Sequence, residues 1–533
     1  MSHSITKAPI QTQRLCCFFV IVVLVTGGRV QTLNSSVVSV SRIATVSARN
    51  ALAYNNSTKL VRGYDGQLHL VYHDEGEIFY TASNNNGTAW SSPINISNSA
   101  GESVFPALAV DSTRKHFIWQ DDSDPNDLTR IDGKQRIWFK SFRQTKDDSL
   151  RFPYPIGESV GDVLTPSLAV KDGKTLLAVW AADLGLTIGW EINISTGNLI
   201  ENGRLDLYDW TYPAIPGTAL GLSRSFFPSI AVVGEVSYVA WQELNVFDTP
   251  YAMFRYRNGE HWSAAQNLAI ATEFPGADGL GIPSLALSDD GRAFLGFGLK
   301  YYSPPLTVDD IFVVSYIEND TLGQSDGVQL SRTPEPDSAV KLAICFGHTI
   351  IAAWETAAES IRRIYFSKAS IDNYDETWAA PNLISDPAVS AHDPQVAAIA
   401  PDTLLFVWLE GSKPPFEIVA RKYPPSTSSV DNPHKREDNR APKSFEMAIF
   451  PNPAHTFASF EVTALEAARL SIKIFNIHGQ LIKSVVGEEI PPLRANYSWD
   501  LTDEQGNLVA NGLYFVIAET NQVRATSKLL VLR

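Results

Sequence analysis

The stretch TPSLAVKDGKTLLAVWAAD, Thr165 to Asp183, carries a plan that the chain repeats. An apolar run follows a proline, an Asp-Gly turn comes next, and a second apolar run closes on tryptophan. The plan returns as FPALAVDSTRKHFIWQDD from Phe105, FPSIAVVGEVSYVAWQEL from Phe227 and IPSLALSDDGRAFLGFGL from Ile282. It returns again as AVKLAICFGHTIIAAWET from Ala339 and DPQVAAIAPDTLLFVWLE from Asp393, and a worn first copy, TKLVRGYDGQLHLVYHDE, begins at Thr58. The copies stand roughly 47 to 63 residues apart, a period that belongs to propeller blades rather than to helical solenoids.

Each copy predicts two strands, and most continue into a third: EIFYTAS from Glu77, RIWFKSF from Arg136, YAMFRYR from Tyr251, DIFVVSYI from Asp310, RRIYFSKA from Arg362 and FEIVARKY from Phe416. A shorter fourth strand is expected to begin near Trp90, Trp262 or Trp378. Four strands per repeat make a propeller blade. The last copy supplies only three, whereas VVSVSRIATV, Val37 to Val46, alternates apolar and polar residues and precedes the first copy, so it is expected to complete the last blade. The reading is an all-β protein: a seven-bladed β-propeller over 31–423, with six or eight blades as alternatives, then a linker over 424–444. Its Pro-, Ser- and charge-rich composition lacks apolar periodicity. The final segment, 445–533, has short strands and turn signals that predict a small Ig-like β-sandwich.

The aromatic that closes each second strand, Trp119, Trp180, Trp241, Trp354 or Trp408, with Tyr72 and Phe297 in the equivalent places, has a packing role. Burying ~150–250 Å² of ring at ~25 cal/mol per Å² yields on the order of 4–6 kcal/mol gross, enough reason for every blade to keep one.

A formal net charge of −15 argues against a nucleic-acid partner, which wants a basic face. Lys7 and Arg14 precede LCCFFVIVVLVT, Leu15 to Thr26, a run too short to span a bilayer, so residues 1–30 read as a secretory signal and no membrane span is expected after its removal. Cleavage leaves Cys345, in KLAICF, as the single cysteine, a buried small hydrophobe with no disulfide to form.

The last segment resembles the type A sorting domain of the type IX secretion system. FPNP at Phe450–Pro453, IFNIHGQLI at Ile474–Ile482, WDLTDEQGN at Trp499–Asn507, NGLYF at Asn511–Phe515 and a basic-apolar end from Lys528 carry the resemblance in order and spacing. It implies export through the periplasm and across the outer membrane, with the type IX machinery as partner and a secreted or surface-attached product. More loosely, the repeats resemble the sialidase superfamily with its Asp boxes: SNNNGTAW matches the box at Ser83, Gly87 and Trp90, with Asn85 in place of the aspartate. In that family the boxes are structural hairpins. The resemblance does not extend to the sialidase active site, because no early arginine stands in the family's context; Arg62 is the nearest.

Candidate ligand-binding residues come from one recurrent place, just after the second strand: Asp74, Asp121, Asp183, Glu243, Glu355 and Glu410. Loops between blades add Arg224, His392 and Asp393 to the same rim. Such a rim suits sugar hydroxyls or a cation, while its plain alternative is a repeated solvated or turn-capping acid. No catalytic residue and no metal ligand is assigned, and no cofactor is expected. The one calcium candidate, DSDPND at Asp122–Asp127, has Asp127 where the loop needs glycine and Gly133 where it needs glutamate. His69 and His73 share one face of a strand but lie roughly 13 Å apart at ~3.3 Å per residue, too far for one zinc. The leading expectation is non-catalytic binding of an extracellular glycan or protein. The alternatives are a glycoside hydrolase or lyase using two rim carboxylates, and a protein-interaction scaffold.

Overall fold

A computed structural model describes residues 40–532, leaving out 144–151, 202–205, 212–222, 246–249, 268–278, 317–326, 424–444 and several shorter segments. The expected signal segment, the linker, Val37–Ser39 and Pro451–Pro453 therefore lie outside the described residues. All described elements are strands.

Upstream of residue 424 the described strands form seven antiparallel sheets of four or five strands, one per sequence copy. The last of them, Ala391–Ala400, Thr403–Glu410 and Phe416–Tyr423, takes its outer strand from the start of the chain, for Val40–Val46 runs antiparallel to Phe416–Tyr423 with Val46 opposite Phe416. The second strands are apolar throughout because alternate residues face different neighbours. In Thr175–Asp183, Leu176, Ala178, Trp180 and Ala182 enter a core shared with the second sheet. Leu177, Val179 and Ala181 enter one shared with the fourth. The same period-2 division recurs round the molecule: each core joins two consecutive sheets, and one joins the seventh to the first through Leu405, Val407 and Leu409 against Leu68, Leu70 and Tyr72. The five tryptophans, Tyr72 and Phe297 are all at most 3% exposed. Cys345 is buried, and its thiol donates to Ala400 O at 3.9 Å.

The third strand of the third sheet, Trp190–Glu201, has no counterpart among the strands read from sequence. The fourth strand of the first sheet starts at Ile94 and that of the sixth at Asn382, four residues beyond Trp90 and Trp378. Those residues are consumed by turns whose tryptophans pack partly buried against the cores. In the Asp-box-like turn Ser83 Oγ donates to Asn85 Oδ1 at 2.9 Å and accepts from the Gly87 amide at 2.9 Å. Asn85 Oδ1 also accepts from the Ala89 amide at 2.8 Å. Gly87 has φ +80° and a Cβ there would meet Leu405 at 2.7 Å, so the turn needs glycine twice over.

Five of the inner strands break their ladders at a matching point. Phe105, Thr165, Phe227, Ala339 and Asp393 have φ between 50° and 53°, and the pairing register shifts beside each of them. Such a bulge leaves main-chain groups without ladder partners. Those groups are met from the axis of the ring by the segment Ala48–Lys59, ARNALAYNNSTK. Asn55 Nδ2 donates to Ile282 O (2.9 Å) and Val340 O (2.6 Å), and Asn56 Nδ2 to Thr165 O (3.1 Å) and Pro228 O (2.8 Å). Ser57 Oγ donates to Pro106 O at 3.3 Å. Lys341 Nζ returns hydrogen bonds to Asn55 O (3.2 Å) and Ser57 O (2.8 Å). The segment thus touches five sheets, and Tyr54 packs its ring against Phe105 and Phe227 with centroids 5.1 and 5.0 Å away.

Beyond residue 444 three smaller sheets surround a separate core that includes Phe460, Ile472, Trp499, Val516 and Leu529. Trp499 Nε1 donates to Thr502 O at 2.7 Å, and Asp503 Oδ1 accepts the amides of Gln505 and Asn507, closing the turn at Gly506.

Candidate functional site

The recurrent acids after the second strands are held by hydrogen-bond donors close by, some of them from the adjoining sheet. Asp74 Oδ1 accepts from Ser47 N (2.8 Å), Ser47 Oγ (2.7 Å) and Ala48 N (2.9 Å), fixing the entry of the axial segment. Asp121 accepts from Ser99 Oγ (2.7 Å), Ser103 Oγ and Ser123 N (2.6 Å). Asp183 accepts from Gly185 N at 2.9 Å. Trp241 Nε1 donates to Glu243 at 3.1 Å and Trp408 Nε1 to Glu410 at 3.0 Å, each two residues along the strand. Burial pushes both of these carboxyls up despite the indole donors. These geometries are those of turn caps and indole partners. Arg224 stands exposed at the start of the fourth sheet's inner strand.

Three of the predicted residues come together. Glu355, His392 and Asp393 meet where the sixth and seventh sheets adjoin, and Arg49 of the axial segment completes the group. Arg49 Nη1 donates to Asp393 Oδ2 at 3.1 Å, and Arg49 Nη2 reaches His392 Nδ1 at 2.5 Å. A guanidinium has only donors, so Nδ1 is the acceptor and Nε2 carries the proton directed at Ser390 Oγ, 3.1 Å away. Glu355 Oε2, 3.7 Å from Nδ1, then acts on the ring through its charge rather than through a hydrogen bond. Glu355 Oε2 accepts the Asp393 amide at 3.2 Å, and Oε1 pairs with Arg362.

The two acids are driven apart. Burial and then the charge of Glu355 push the Asp393 carboxyl up to about 6, with Arg49 opposing. Burial works to raise Glu355 too, but the Arg362 guanidinium and the Asp393 amide hold it below its ordinary value. The side chains of Glu355 and His392 are buried and that of Asp393 half-buried, whereas those of Arg49 and Arg362 are 45% and 41% exposed, so the cluster shows solvent two guanidinium groups over the acids. Arg49 and Arg362 escaped the sequence reading. Arg49 lies in a stretch without periodicity, and Arg362 reads as an ordinary strand residue.

The centre of the ring beneath this cluster is filled. Lys59, fully buried, donates to Tyr54 O and Ser57 Oγ, both at 2.7 Å. A cavity lined by Tyr64, Asp111, Lys171, Phe457 and Trp499 lies at the opposite ends of the strands, by the turns between first and second strands. Among the described residues no group of three or more His, Cys, Asp or Glu side chains is placed to hold a metal. The calcium candidate forms a strand hairpin: Asp124 Oδ1 accepts the Asn126 amide at 2.9 Å, and Asp122 Oδ1 accepts the Glu102 amide at 2.8 Å. His73 Nε2 lies 3.0 Å from Asn50 Oδ1, and His69 Nδ1 2.7 Å from the Tyr80 hydroxyl.

Residues 448–532 match the family model described as secretion system C-terminal sorting domain. The chain therefore carries a type IX sorting tail behind an all-β region of seven antiparallel sheets, and the tail directs it to the cell surface or the extracellular space. No helix among the described residues is long and apolar enough to cross a membrane.

No curated protein is similar enough in sequence to be called a relative. Among solved structures, polysaccharide lyase Uly1 is similar over 70% of this chain and 91% of its own, at 10% identity and a TM-score of 0.45. The α-L-arabinofuranosidase Arb93A of Fusarium graminearum covers 72% of this chain and 97% of its own, at 12% identity and a TM-score of 0.39. The NanB sialidase of Streptococcus pneumoniae covers 72% and 70%, at 10% identity and a TM-score of 0.37. Scores this low transfer neither substrate nor mechanism.

Proposed function

We propose that this chain is a type IX-exported, seven-bladed propeller that binds an extracellular carbohydrate or another extracellular macromolecule without catalysis, followed by an Ig-like β-sandwich. The division we favour is a signal peptide over 1–30, a propeller over 31–423, a linker over 424–444 and the sorting domain over 445–533. Binding falls on the rim that bears Asp74, Asp121, Asp183, Arg224, Glu243, Glu355, His392, Asp393 and Glu410. Its centre of gravity is the cluster of Arg49, Arg362, Glu355, His392 and Asp393. The observation that carries this reading is the filled axis: Ala48–Lys59 occupies the place where an enzyme would draw a substrate between converging blades, and the amides of Asn55 and Asn56 are already committed to main-chain carbonyls. Two guanidinium groups on the rim suit anionic oxygen ligands, carboxylate or sulfate above all. A glycan array on the purified chain, with product analysis of every hit, tests it. Bound glycan recovered intact is the expected result, and new reducing or unsaturated ends would overturn it.

A second reading has one observation in its favour. Glu355 and Asp393 are neighbours whose environments push one acid down and the other up, the division of labour that an acid and a base need. On this reading the chain is a glycoside hydrolase or lyase, and the same product analysis would reveal it.

A further inference from the structure

Where the fifth sheet meets the sixth, two buried acids share the Ser331 hydroxyl, and no cation among the described residues acts on the second of them. Asp310, 2% exposed, begins the inner half of the strand Leu306–Tyr316, and Asp337, 3% exposed, opens the strand Asp337–Cys345. Asp310 is well supplied with donors: Tyr301 Oη and Gln329 Nε2 reach Oδ2, both at 2.7 Å, and Ser331 Oγ reaches Oδ1 at 3.3 Å. Asp337 is not. Its Oδ1 accepts from Thr356 Oγ1, while its Oδ2 is buried with no hydrogen-bond partner. The Ser331 hydroxyl acts on both carboxyls, and the charged groups acting on Asp337 are Asp310 and Glu335, both negative.

An oxygen of a carboxylate buried without donor or cation costs several kcal/mol, so proteins seldom leave one so. A cation resolves the conflict. The oxygens assembled here are carboxylate and hydroxyl, which suit a hard divalent ion that completes its shell with water and not a soft one. Two carboxylates are fewer than the three acidic or imidazole ligands of a dedicated cage. They are enough when neutral oxygens and waters supply the rest.

We propose that Asp310 and Asp337, with the hydroxyls of Ser331 and Thr356, seat a divalent cation, calcium by its oxygen chemistry, that clips the fifth sheet to the sixth. Thr356 follows Glu355 in the same strand, so the clip stiffens the strand that carries the rim cluster. The seat is independent of what the rim binds and stands or falls separately from that reading.

Terbium reports on such a seat, since a tyrosine beside it sensitises emission and the Tyr301 hydroxyl lies 2.7 Å from Asp310 Oδ2. The full secreted chain, freed of metal with EDTA, is titrated with terbium at pH 7.5 and excited in the tyrosine band. Saturable emission, displaced by calcium, is expected, together with a rise in Tm of roughly 2–5 °C at saturating calcium. Asp337→Asn removes the buried charge with its shape kept, so this variant folds while losing both signals, and Asp310→Asn does the same. Asp124→Asn, in the exposed hairpin, leaves both unchanged. The proposal is overturned if emission and the calcium shift are absent from the parent chain, or if they persist undiminished in Asp337→Asn.

Discussion

Asn56 Nδ2 donates to Pro228 O at 2.8 Å, joining a residue on the axis of the ring to the bulged inner strand of the fourth sheet. The same amide donates to Thr165 O at 3.1 Å in the third sheet. Asn56→Ala removes both bonds and strands two buried carbonyls. Losing a partner costs about 1–3 kcal/mol per buried group, so a loss of about 2–4 kcal/mol is expected. Urea unfolding measures it, and a loss below about 0.5 kcal/mol would mean that the axial segment is not a fastening.

The packing between blades admits an equally sharp prediction. A Cβ on Gly157, in the fourth strand of the second sheet, would stand 2.5 Å from Trp180 of the third. Gly157→Ala therefore overpacks a tryptophan that is itself 2% exposed, and a cost of about 1–3 kcal/mol is expected by thermal or urea unfolding. Gly234→Ala meets nothing within 4 Å but has φ +57°, so it separates backbone strain from overpacking.

Lys341 makes stability depend on pH. Burial pulls its ammonium down to about 7 in the folded chain, against an ordinary value near 10.4 in the unfolded one. Between these values the unfolded chain holds a proton that the folded chain has released, so stability rises with pH across that window, by at most about 1.4 kcal/mol per unit. Tm is expected to climb from pH 7 to 9.5. In Lys341→Met the climb weakens, though it does not vanish, because burial and Lys341 also hold Lys59 low in the parent. An unchanged slope would contradict the assignment.

The repeat plan was legible because packing demands it of every blade. Alternate residues of a second strand face two different cores, so the run must be apolar throughout, and one large ring must close it. The strand Val40–Val46 was legible for the complementary reason: it alternates, it has no copy of its own, and the last copy lacks a strand. The axial segment was not legible. Ala48–Lys59 has no period, and the value of Asn55 and Asn56 lies in carbonyls that only the bulges at Val340, Thr165 and Pro228 turn toward them. A run of small and amide residues ahead of the first repeat is the one signal it leaves. The recurrent acids were seen, but their work as caps was visible only once Ser99, Ser103 and the Trp241 indole stood beside them.

The rim cluster sets Arg49 apart from the scaffold. Its side chain is 45% exposed, and its salt bridge to Asp393 spans 3.1 Å, so Arg49→Ala is expected to change stability by no more than about 1 kcal/mol. Binding of an acidic glycan should fall by roughly 10-fold or more, the cost of one charge-assisted pair. Isothermal titration beside an unfolding curve separates the two effects, and Arg362→Ala is expected to weaken binding alike while costing more stability, because it strips the buried Glu355 of its ion pair.

One measurement bears on the central claim more directly than the rest. The purified chain is incubated with its best glycan ligand for a day, and both the complex and the glycan's mass profile are recorded, in parallel with the Glu355→Gln and Asp393→Asn variants. Binding without turnover predicts an unaltered glycan in all three samples, with the parent forming a saturable complex. Cleavage products in the parent that disappear in either variant would contradict it and make the rim acids catalytic.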